Sequence, residues 1–268
     1  MDDATITPAG PYCVTSAPVV LSAATAGGIW SGNGITNPGS GAFNPSSAGP
    51  GTHTITYVTG GVCSSTGTVM ISVNPLPNVT FTADTLGLCE TPQQAFTFTN
   101  TTDTTGGMVG STLWEFGDNS TGTGNVVSHA YAGPGSYTIT LTVTSTVGAG
   151  SCSNYLDKTN YVQVFANPTA NFSMDPSPTT VFDPTVNFND LSYNNIVAWN
   201  WNIGGLITST QQNPSYTFPE DIGEYFTTLF VTDINGCVDS TSGTAIVKGE
   251  YGVFIPNSFT PDDDNLND

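Results

Sequence analysis

The chain has 268 residues, of which 37% are hydrophobic, and 21 acidic side chains stand against two basic ones, for a formal net charge of −19. This charge argues against binding to DNA, RNA or anionic lipid, and no window holds the roughly 18 consecutive apolar residues of a membrane helix. The opening Met-Asp-Asp-Ala has neither the basic nor the apolar region of a signal peptide, so we expect a piece of a longer precursor.

The charges are unevenly distributed along the chain. Residues 4–83 hold no charged side chain apart from any protonated fraction of His53, and the acids other than Asp2 and Asp3 begin at Asp84. Solubility of a secreted surface is the favoured interpretation. The alternative is a specific electrostatic role toward calcium or a cationic partner.

Alternating β-branched and aromatic segments predict strands throughout the chain. The longest read HTITYV (53–58), SYTITLTVTS (136–145) and YFTTLFVTD (225–233), and Gly, Pro and Asn clusters separate them. Helix signals are weak. Many short strands with regular turn signals predict an all-β protein built from β-sandwiches.

A repeated spacing divides the chain into three such sandwiches. A tryptophan precedes a glycine by 21, 21 and 22 residues in the pairs Trp30–Gly51, Trp114–Gly135 and Trp201–Gly223. We therefore predict immunoglobulin-like domains at 1–75, 76–166 and 167–249. Prolines in the joints 73–79 and 164–172 predict a semi-stiff, extended rod.

Each element of the repeat has a structural interpretation. The tryptophan fills the space between the two sheets, and the glycine permits a tight turn that can require positive φ. His53, Tyr137 or Tyr225 follows two residues later, where its polar tip can bond to backbone. The alternative, an aromatic ligand platform, is disfavoured because the tryptophan occurs once per copy at a fixed phase.

The second segment resembles a PKD (polycystic-kidney-disease) domain, an immunoglobulin-like sandwich. WEFGDNST (114–121) and SHAYAGPGSYTITLTVTS (128–145) carry the resemblance, which covers most of 77–166. Asn119 stands where the PKD pattern usually has glycine, and asparagine tolerates left-handed backbone. The resemblance implies a non-catalytic module in which His129 is structural.

The flanking segments resemble the same class less closely. AWNWNIGGLITST (198–210) has Ile203-Gly-Gly205 in place of Phe-Gly-Asp, whereas 213–240 follows the later half of the PKD pattern. The first segment, 27–58, resembles an immunoglobulin-like module common in Bacteroidota surface proteins.

The last residues, FIPNSFTPDDDNLND (254–268), are similar to the start of a type B, gliding-motility-associated C-terminal sorting domain. We expect residues 250–268 to open such a domain, whose remainder would follow residue 268. The resemblance implies export by the type IX secretion system to the outer face of the outer membrane, with the secretion machinery and outer-membrane anchoring proteins as partners. The matching residues are Phe254, Pro256, Asn257, Phe259, Thr260, Pro261, Asp262, Asp264, Asn267 and Asp268.

Five cysteines in a chain of secreted type predict disulfides. Cys13 and Cys63 occupy places in the first repeat that correspond to Cys89 and Cys152 in the second, so we predict bridges Cys13–Cys63 and Cys89–Cys152. Cys237 has no cysteine earlier in its own repeat and is predicted to carry an unpaired thiol. The alternative is a bridge to another molecule or to a missing segment.

No arrangement of residues predicts catalysis. The two histidines lie in different repeats, and Glu115 and Asp118 belong to a hairpin turn that Asp118 is expected to cap through backbone hydrogen bonds. No other cofactor is predicted than calcium, for which Asp262, Asp264 and Asp268 are the candidate ligands. A solvated acidic tail is the favoured alternative.

The motif Asp-[Ser/Thr]-[small or apolar] resembles the Bacteroidota O-glycosylation site. It places candidate modifications on Thr85, Thr104 and Ser240. A three-residue motif arises easily by chance in a chain rich in threonine.

Two functions remain open from the sequence. The leading hypothesis is a non-catalytic, adhesin-like stalk of a secreted surface protein that supports adhesion or gliding. The alternative is a carbohydrate- or protein-binding accessory module of a large secreted hydrolase. For the alternative, Tyr12, Tyr193 and Trp199 are the candidate exposed aromatics.

Overall fold

The computed structural model describes residues 2–91, 94–103, 108–147 and 150–250. The chain divides into two compact units, Met1–Val164 and Phe165–Asp268. The described residues are almost entirely β-structure, and they bury three separate hydrophobic cores. The predicted all-β class with tandem sandwiches is confirmed.

The first sandwich begins the first unit and packs a four-stranded sheet, in the order β1-β7-β6-β3, against a three-stranded sheet, in the order β2-β5-β4. Its elements are β1 (Tyr12–Cys13), β2 (Val19–Val20), β3 (Ile29–Ser31), β4 (Ile35–Asn37), β5 (Ala42–Phe43), α1 (Pro45–Ala48), β6 (Gly51–Val58) and β7 (Thr66–Asn74). The short strand β1 runs parallel to the end of β7, with Cys13 opposite Asn74.

The second sandwich completes the first unit and packs a three-stranded sheet, in the order β13-β10-β8, against a five-stranded sheet, in the order β12-β11-β14-β15-β9. Its strands are β8 (Phe81–Ala83), β9 (Gly87–Cys89), β10 (Phe96–Asn100), β11 (Met108–Glu115), β12 (Thr121–Gly122), β13 (Val126–His129), β14 (Gly135–Val147) and β15 (Gly150–Phe165).

The third sandwich forms the described part of the second unit. A three-stranded sheet, in the order β16-β18-β21, faces a five-stranded sheet, in the order β17-β23-β22-β19-β20. Its strands are β16 (Phe172–Asp175), β17 (Thr179–Thr180), β18 (Thr185–Asp190), β19 (Ile196–Ile203), β20 (Ile207–Ser209), β21 (Ser215–Thr217), β22 (Gly223–Asp233) and β23 (Val238–Lys248).

One tryptophan is buried at the centre of each core, as the sequence predicted. Trp30, Trp114 and Trp201 are all buried, and each belongs to a different hydrophobic cluster. The Nε1–H of Trp114 donates to the carbonyl of Gly124 at 2.9 Å, and that of Trp201 donates to the carbonyl of Gln211 at the same distance. These two indoles therefore bury their rings without leaving their one polar atom unpaired.

In the first two sandwiches, the polar tip of the residue that follows the repeated glycine bonds to backbone, as predicted. His53 Nε2 contacts the carbonyl of Gly49 at 2.8 Å, and the Tyr137 hydroxyl donates to the carbonyl of Gly133 at 2.7 Å. Positive φ occurs only at the first repeated glycine, Gly51, among the three. The other two provide room, because a Cβ there would lie against the ring of the following tyrosine.

The predicted within-repeat disulfides are wrong, because Cys13 bonds to Cys152 with a Cα–Cα distance of 5.6 Å. Cys13 lies beside the last residue of β7, whereas Cys63 precedes the first, so the length of that strand, about 30 Å, separates them. Cys152 lies near the start of β15. Cys89 lies in β9, and Leu86 just before β9 accepts a hydrogen bond from Gln163 near the end of β15. The Cα atoms of neither predicted pair can therefore come within the roughly 4.4–6.8 Å that a disulfide needs.

The free thiol also lies elsewhere than predicted. Cys63 is free and exposed in the loop between β6 and β7. Cys237 is buried and disulfide-bonded, and Cys89 is disulfide-bonded too. The prediction of an unpaired thiol at Cys237 rested on the lack of an earlier cysteine in its own repeat, and it is wrong.

Candidate functional sites

The second sandwich brings a serine, a histidine and an aspartate together at the turn after β11. Asp118 Oδ1 accepts hydrogen bonds from the Ser120 N–H at 3.0 Å and the Ser120 hydroxyl at 2.5 Å. Asp118 Oδ2 lies 2.8 Å from His129 Nε2, and the Ser120 hydroxyl lies 3.2 Å from the same nitrogen. Three residue types used in nucleophilic catalysis therefore meet at one turn.

The geometry of this cluster is not that of a catalytic triad. In a triad the histidine uses one ring nitrogen for the serine and the other for the aspartate. Here His129 presents Nε2 to both, and Asp118 binds Ser120 directly, so no proton relay connects hydroxyl to carboxylate. The cluster closes the hairpin, as the predicted capping role of Asp118 required.

Aromatic rings hold the histidine in place. The His129 ring stacks on Phe116 with centroids 4.2 Å apart and meets Tyr131 edge-on at 4.6 Å. The Tyr131 hydroxyl donates to the carbonyl of Phe116 at 2.8 Å, and burial together with the nearby carboxylate of Asp118 raises the pKa of this phenol. The phenol therefore stays protonated as a hydrogen-bond donor.

Partial burial acts to raise the pKa of Asp118, but the hydrogen bonds from Ser120 and the contact with His129 outweigh it. The pKa of this carboxyl is held below its ordinary value of 3.8. A carboxyl with a lowered pKa is a poor general acid at neutral pH, which agrees with a structural role.

A second cluster, in which several groups donate hydrogen bonds to one carboxylate, lies in the third sandwich. Asp190 Oδ2 accepts from Trp199 Nε1 at 2.7 Å and from Gln212 Nε2 at 3.1 Å, while Asp190 Oδ1 accepts from the Ser192 N–H at 2.9 Å. Burial acts to raise the pKa of Asp190, and these hydrogen bonds lower it below its ordinary value. The carboxylate therefore fixes the indole of Trp199.

Trp199 was expected to face outward as a candidate ligand contact, and this expectation is wrong. Residues two apart on a strand share a face, so Trp199 points to the same side as Trp201. It is half-buried and packs against the third core. Tyr12 likewise packs against the first core, and Tyr193 is the exposed member of the three candidates.

The candidate calcium ligands Asp262, Asp264 and Asp268, and all of the sorting-domain motif, lie outside the described residues. Within the ranges that the structure describes, no group of three or more His, Cys, Asp or Glu side chains is arranged to hold a metal ion. The predicted calcium site stays a prediction.

The candidate O-glycosylation sites differ in their surroundings. Thr85 is half-buried, and its hydroxyl donates to the carbonyl of Gly87 at 3.2 Å. Ser240 is exposed on β23 opposite Phe230, and Thr104 lies outside the described residues. Ser240 is therefore the more accessible of the two described sites.

No helix in the described residues is long and apolar enough to cross a membrane. Disulfides persist in oxidising compartments, which assigns the chain to the extracellular side of the cell. Disulfide-crosslinked, immunoglobulin-like sandwiches define the class of the described residues: extracellular β-sandwich modules.

The comparison with protein families makes the assignment more specific. The PKD domain family matches residues 74–160 and again residues 165–247. The chain therefore belongs to the PKD domain family and carries two such domains in tandem, which are non-catalytic modules.

Parts of this chain are also similar to individual proteins. A microbial collagenase from Vibrio alginolyticus is 39% identical over 77 residues, which are 28% of this chain and 9% of the collagenase. The PKD1 domain of the Vibrio cholerae metalloprotease PrtV is 30% identical and covers 30% of this chain and 96% of that domain, with a TM-score of 0.27. The PKD1 domain of Vibrio anguillarum Epp is 25% identical over 31% of this chain and 96% of that domain, with a TM-score of 0.28.

Proposed function

We propose that this chain is a non-catalytic spacer of a secreted, cell-surface protein of a Bacteroidota bacterium. The spacer holds an adhesive part away from the cell and supports adhesion or gliding. The observation that carries the proposal is the Cys13–Cys152 disulfide, which joins the first sandwich to the second.

The junction between these two sandwiches is packed as well as crosslinked. A Cβ at Gly150, the first residue of β15, would lie 3.1 Å from Pro11 Cγ and 3.2 Å from Asn74 Nδ2, so the backbone there runs against the first sandwich. Asn154 Nδ2 donates to the carbonyl of Pro77 in the joint at 3.0 Å. A covalent and packed junction resists bending more than a proline-containing tether alone, as a spacer requires.

Export belongs to the same proposal. Residues 254–268 resemble the opening of a type B sorting domain, which implies the type IX secretion machinery and outer-membrane anchoring proteins as partners, with calcium as a candidate ligand of Asp262, Asp264 and Asp268. In a host with this secretion system, a parent protein that is truncated after residue 249 should remain in the periplasm. Normal appearance of the shortened protein at the surface would contradict this part of the proposal.

The spacer role is tested by exchange within the parent protein. Replacing residues 4–249 by a Gly/Ser linker of equal residue number should weaken retention of cells under flow, because the linker is compact and flexible. Replacing them by three unrelated disulfide-stapled sandwiches should restore retention. Failure of this second exchange, with export unchanged, would contradict the spacer role, because it would show that the surface of this chain is needed.

A second candidate function is favoured by the similarity to a collagenase and to a domain of a metalloprotease. In this function the chain is an accessory module of a large secreted hydrolase and binds carbohydrate or protein near the substrate. The same exchange separates the two candidates, because a binding module cannot be replaced by unrelated sandwiches.

A further inference from the structure

The outer face of the five-stranded sheet of the third sandwich carries two exposed phenylalanines. Phe226 and Phe230 lie on the central strand β22 and are 62% and 49% exposed. They are four residues apart, so both point away from the core and lie about 13–14 Å from each other along the strand. Their inward-facing neighbours Leu229 and Val231 are buried, which fixes this orientation.

Hydrogen-bonding side chains surround the two rings. Phe230 lies between Asn200 on β19 and Ser240 on β23, and Phe226 lies opposite Thr244. The two rings are separated by a polar row, in which Thr228 lies between Asn202 and Ser242. The face therefore alternates aromatic and amide or hydroxyl groups along a rigid strand.

No charged side chain lies between the two phenylalanines on this face, although the chain has a net charge of −19. Glu224 is the nearest charged residue on this side of β22, beyond Phe226, and it lies opposite Ile246. Asp233 is buried, and Asp239 turns inward to accept a hydrogen bond from the Ala170 N–H at 2.9 Å. A partner that matches this face carries no charge of its own.

We propose that this face, which we call the Phe226/Phe230 face, binds a neutral polysaccharide chain. The flat C–H faces of pyranose rings pack against phenyl rings, and their hydroxyl groups pair with Asn, Ser and Thr side chains. The inference deepens the second candidate function and is independent of the spacer role. It assigns recognition to the outer face of a strand, not to the earlier candidates Tyr12, Tyr193 and Trp199.

A protein partner or a second copy of this chain would fit this face less well than a polysaccharide. A protein interface has a contiguous apolar core, whereas a polar row interrupts the aromatic groups here. Val238 adds apolar surface at the Phe230 end, opposite Thr232, and Ile246 adds some at the Phe226 end, opposite Glu224, so the polar row still separates the two. A second copy of this chain would place two identical polar rows against each other, and polar groups that lose water without good partners oppose binding.

The test uses the full chain, produced without glycosylation because Ser240 flanks Phe230. Binding to cellulose, chitin and curdlan, all insoluble and neutral, is measured by depletion from solution, with alginate beads as the anionic control. We expect binding to at least one neutral polysaccharide and none to alginate. Phe226→Ala or Phe230→Ala should weaken that binding about tenfold each, and the double variant should lose it.

Phe182→Ala is the matched control, because Phe182 is 78% exposed in the same sandwich but lies in the turn after β17, which pairs with Val247 and Lys248 beyond the Glu224 end of the face. It should bind like the unchanged chain. Equal thermal unfolding of all variants shows that the fold is kept, as expected for exposed side chains.

Three results would overturn the proposal. The first is binding of the unchanged chain to none of the three neutral polysaccharides. The second is binding that the double variant retains, which would leave the accessory-module function standing but place its site elsewhere. The third is self-association in sedimentation that only the double variant abolishes, which would make the face a contact between copies.

Discussion

Single carboxylates act as structural parts of this protein, and Asp118 illustrates how. It caps the turn after β11, fixes Ser120 and contacts His129, and its pKa is lowered although burial opposes the shift. Asp190 does the same for Trp199 in the third sandwich. Both carboxylates therefore serve to hold the fold.

The lowered pKa of Asp118 predicts that the second sandwich loses stability in acid. A carboxyl whose pKa is lower when folded stabilises the fold fully above its unfolded pKa, near 3.8, and this stabilisation is lost as the pH falls through the lower folded value. The urea midpoint should therefore be level down to about pH 5 and fall below about pH 4. Asp118→Asn, normalised to its own value at pH 7, should show a shallower fall. An identical acid profile for both proteins would contradict this role of Asp118.

One buried hydroxyl is predicted to destabilise the third sandwich. Thr227 Oγ1 lies in the core and has no hydrogen-bond partner among the described residues. Thr227→Val keeps the shape and removes the unpaired group, so the free energy of unfolding should rise by about 1 kcal/mol. Thr228→Val, on the outer face of the same strand, is the control and should change it little. A loss of stability in Thr227→Val would show that the hydroxyl is satisfied.

At the scale of the elements, the turn after the core tryptophan shows what the sequence could predict. Asn119 was expected to accept left-handed backbone in place of glycine, and its φ is +70°. The third sandwich reaches the same result with Gly204 and Gly205, at φ +61° and +69°, although its residues differ from the PKD pattern. Turn chemistry is local, so it can be inferred from a few neighbouring residues.

Gly117 is the position in this turn that should tolerate substitution least. Its φ is +82°, and a Cβ there would lie 2.6 Å from the backbone oxygen of Thr138. Gly117→Ala should therefore lower the free energy of unfolding of the second sandwich by about 2–3 kcal/mol in urea titrations. Gly133→Ala, where a Cβ meets nothing within 4 Å, should be neutral to slightly stabilising. Equal effects of the two changes would contradict the steric argument.

At the scale of the whole molecule, the sequence predicted the sandwiches but not the crosslink between the first two. Periodicity and spacing identify strands and core tryptophans, because both follow from local alternation. Cys13 and Cys152 are 139 residues apart, and they meet only because β1 runs parallel to the end of β7 at the junction with the second sandwich. The Phe226/Phe230 face was missed for a related reason, since it depends on which strands are neighbours.

Removing the junction disulfide should separate the behaviour of the first two sandwiches. A bridge that closes a loop of more than 100 residues stabilises by about 4–5 kcal/mol in the chain-entropy model. Cys13→Ser/Cys152→Ser should lower the urea midpoint of the first unit and give its two sandwiches separate transitions. Cys63→Ser, in an exposed loop, is the control and should leave the midpoint unchanged. A double variant that unfolds like the unchanged chain would remove the mechanical basis of the spacer.

The most direct test of the spacer proposal is a peptide map of the oxidised chain, alkylated before digestion and kept non-reducing throughout. The structure predicts a peptide containing Cys13 linked to one containing Cys152, with the alkyl label on Cys63. A Cys13–Cys63 linkage would restore pairing within the repeat and contradict the covalent junction on which the spacer proposal depends.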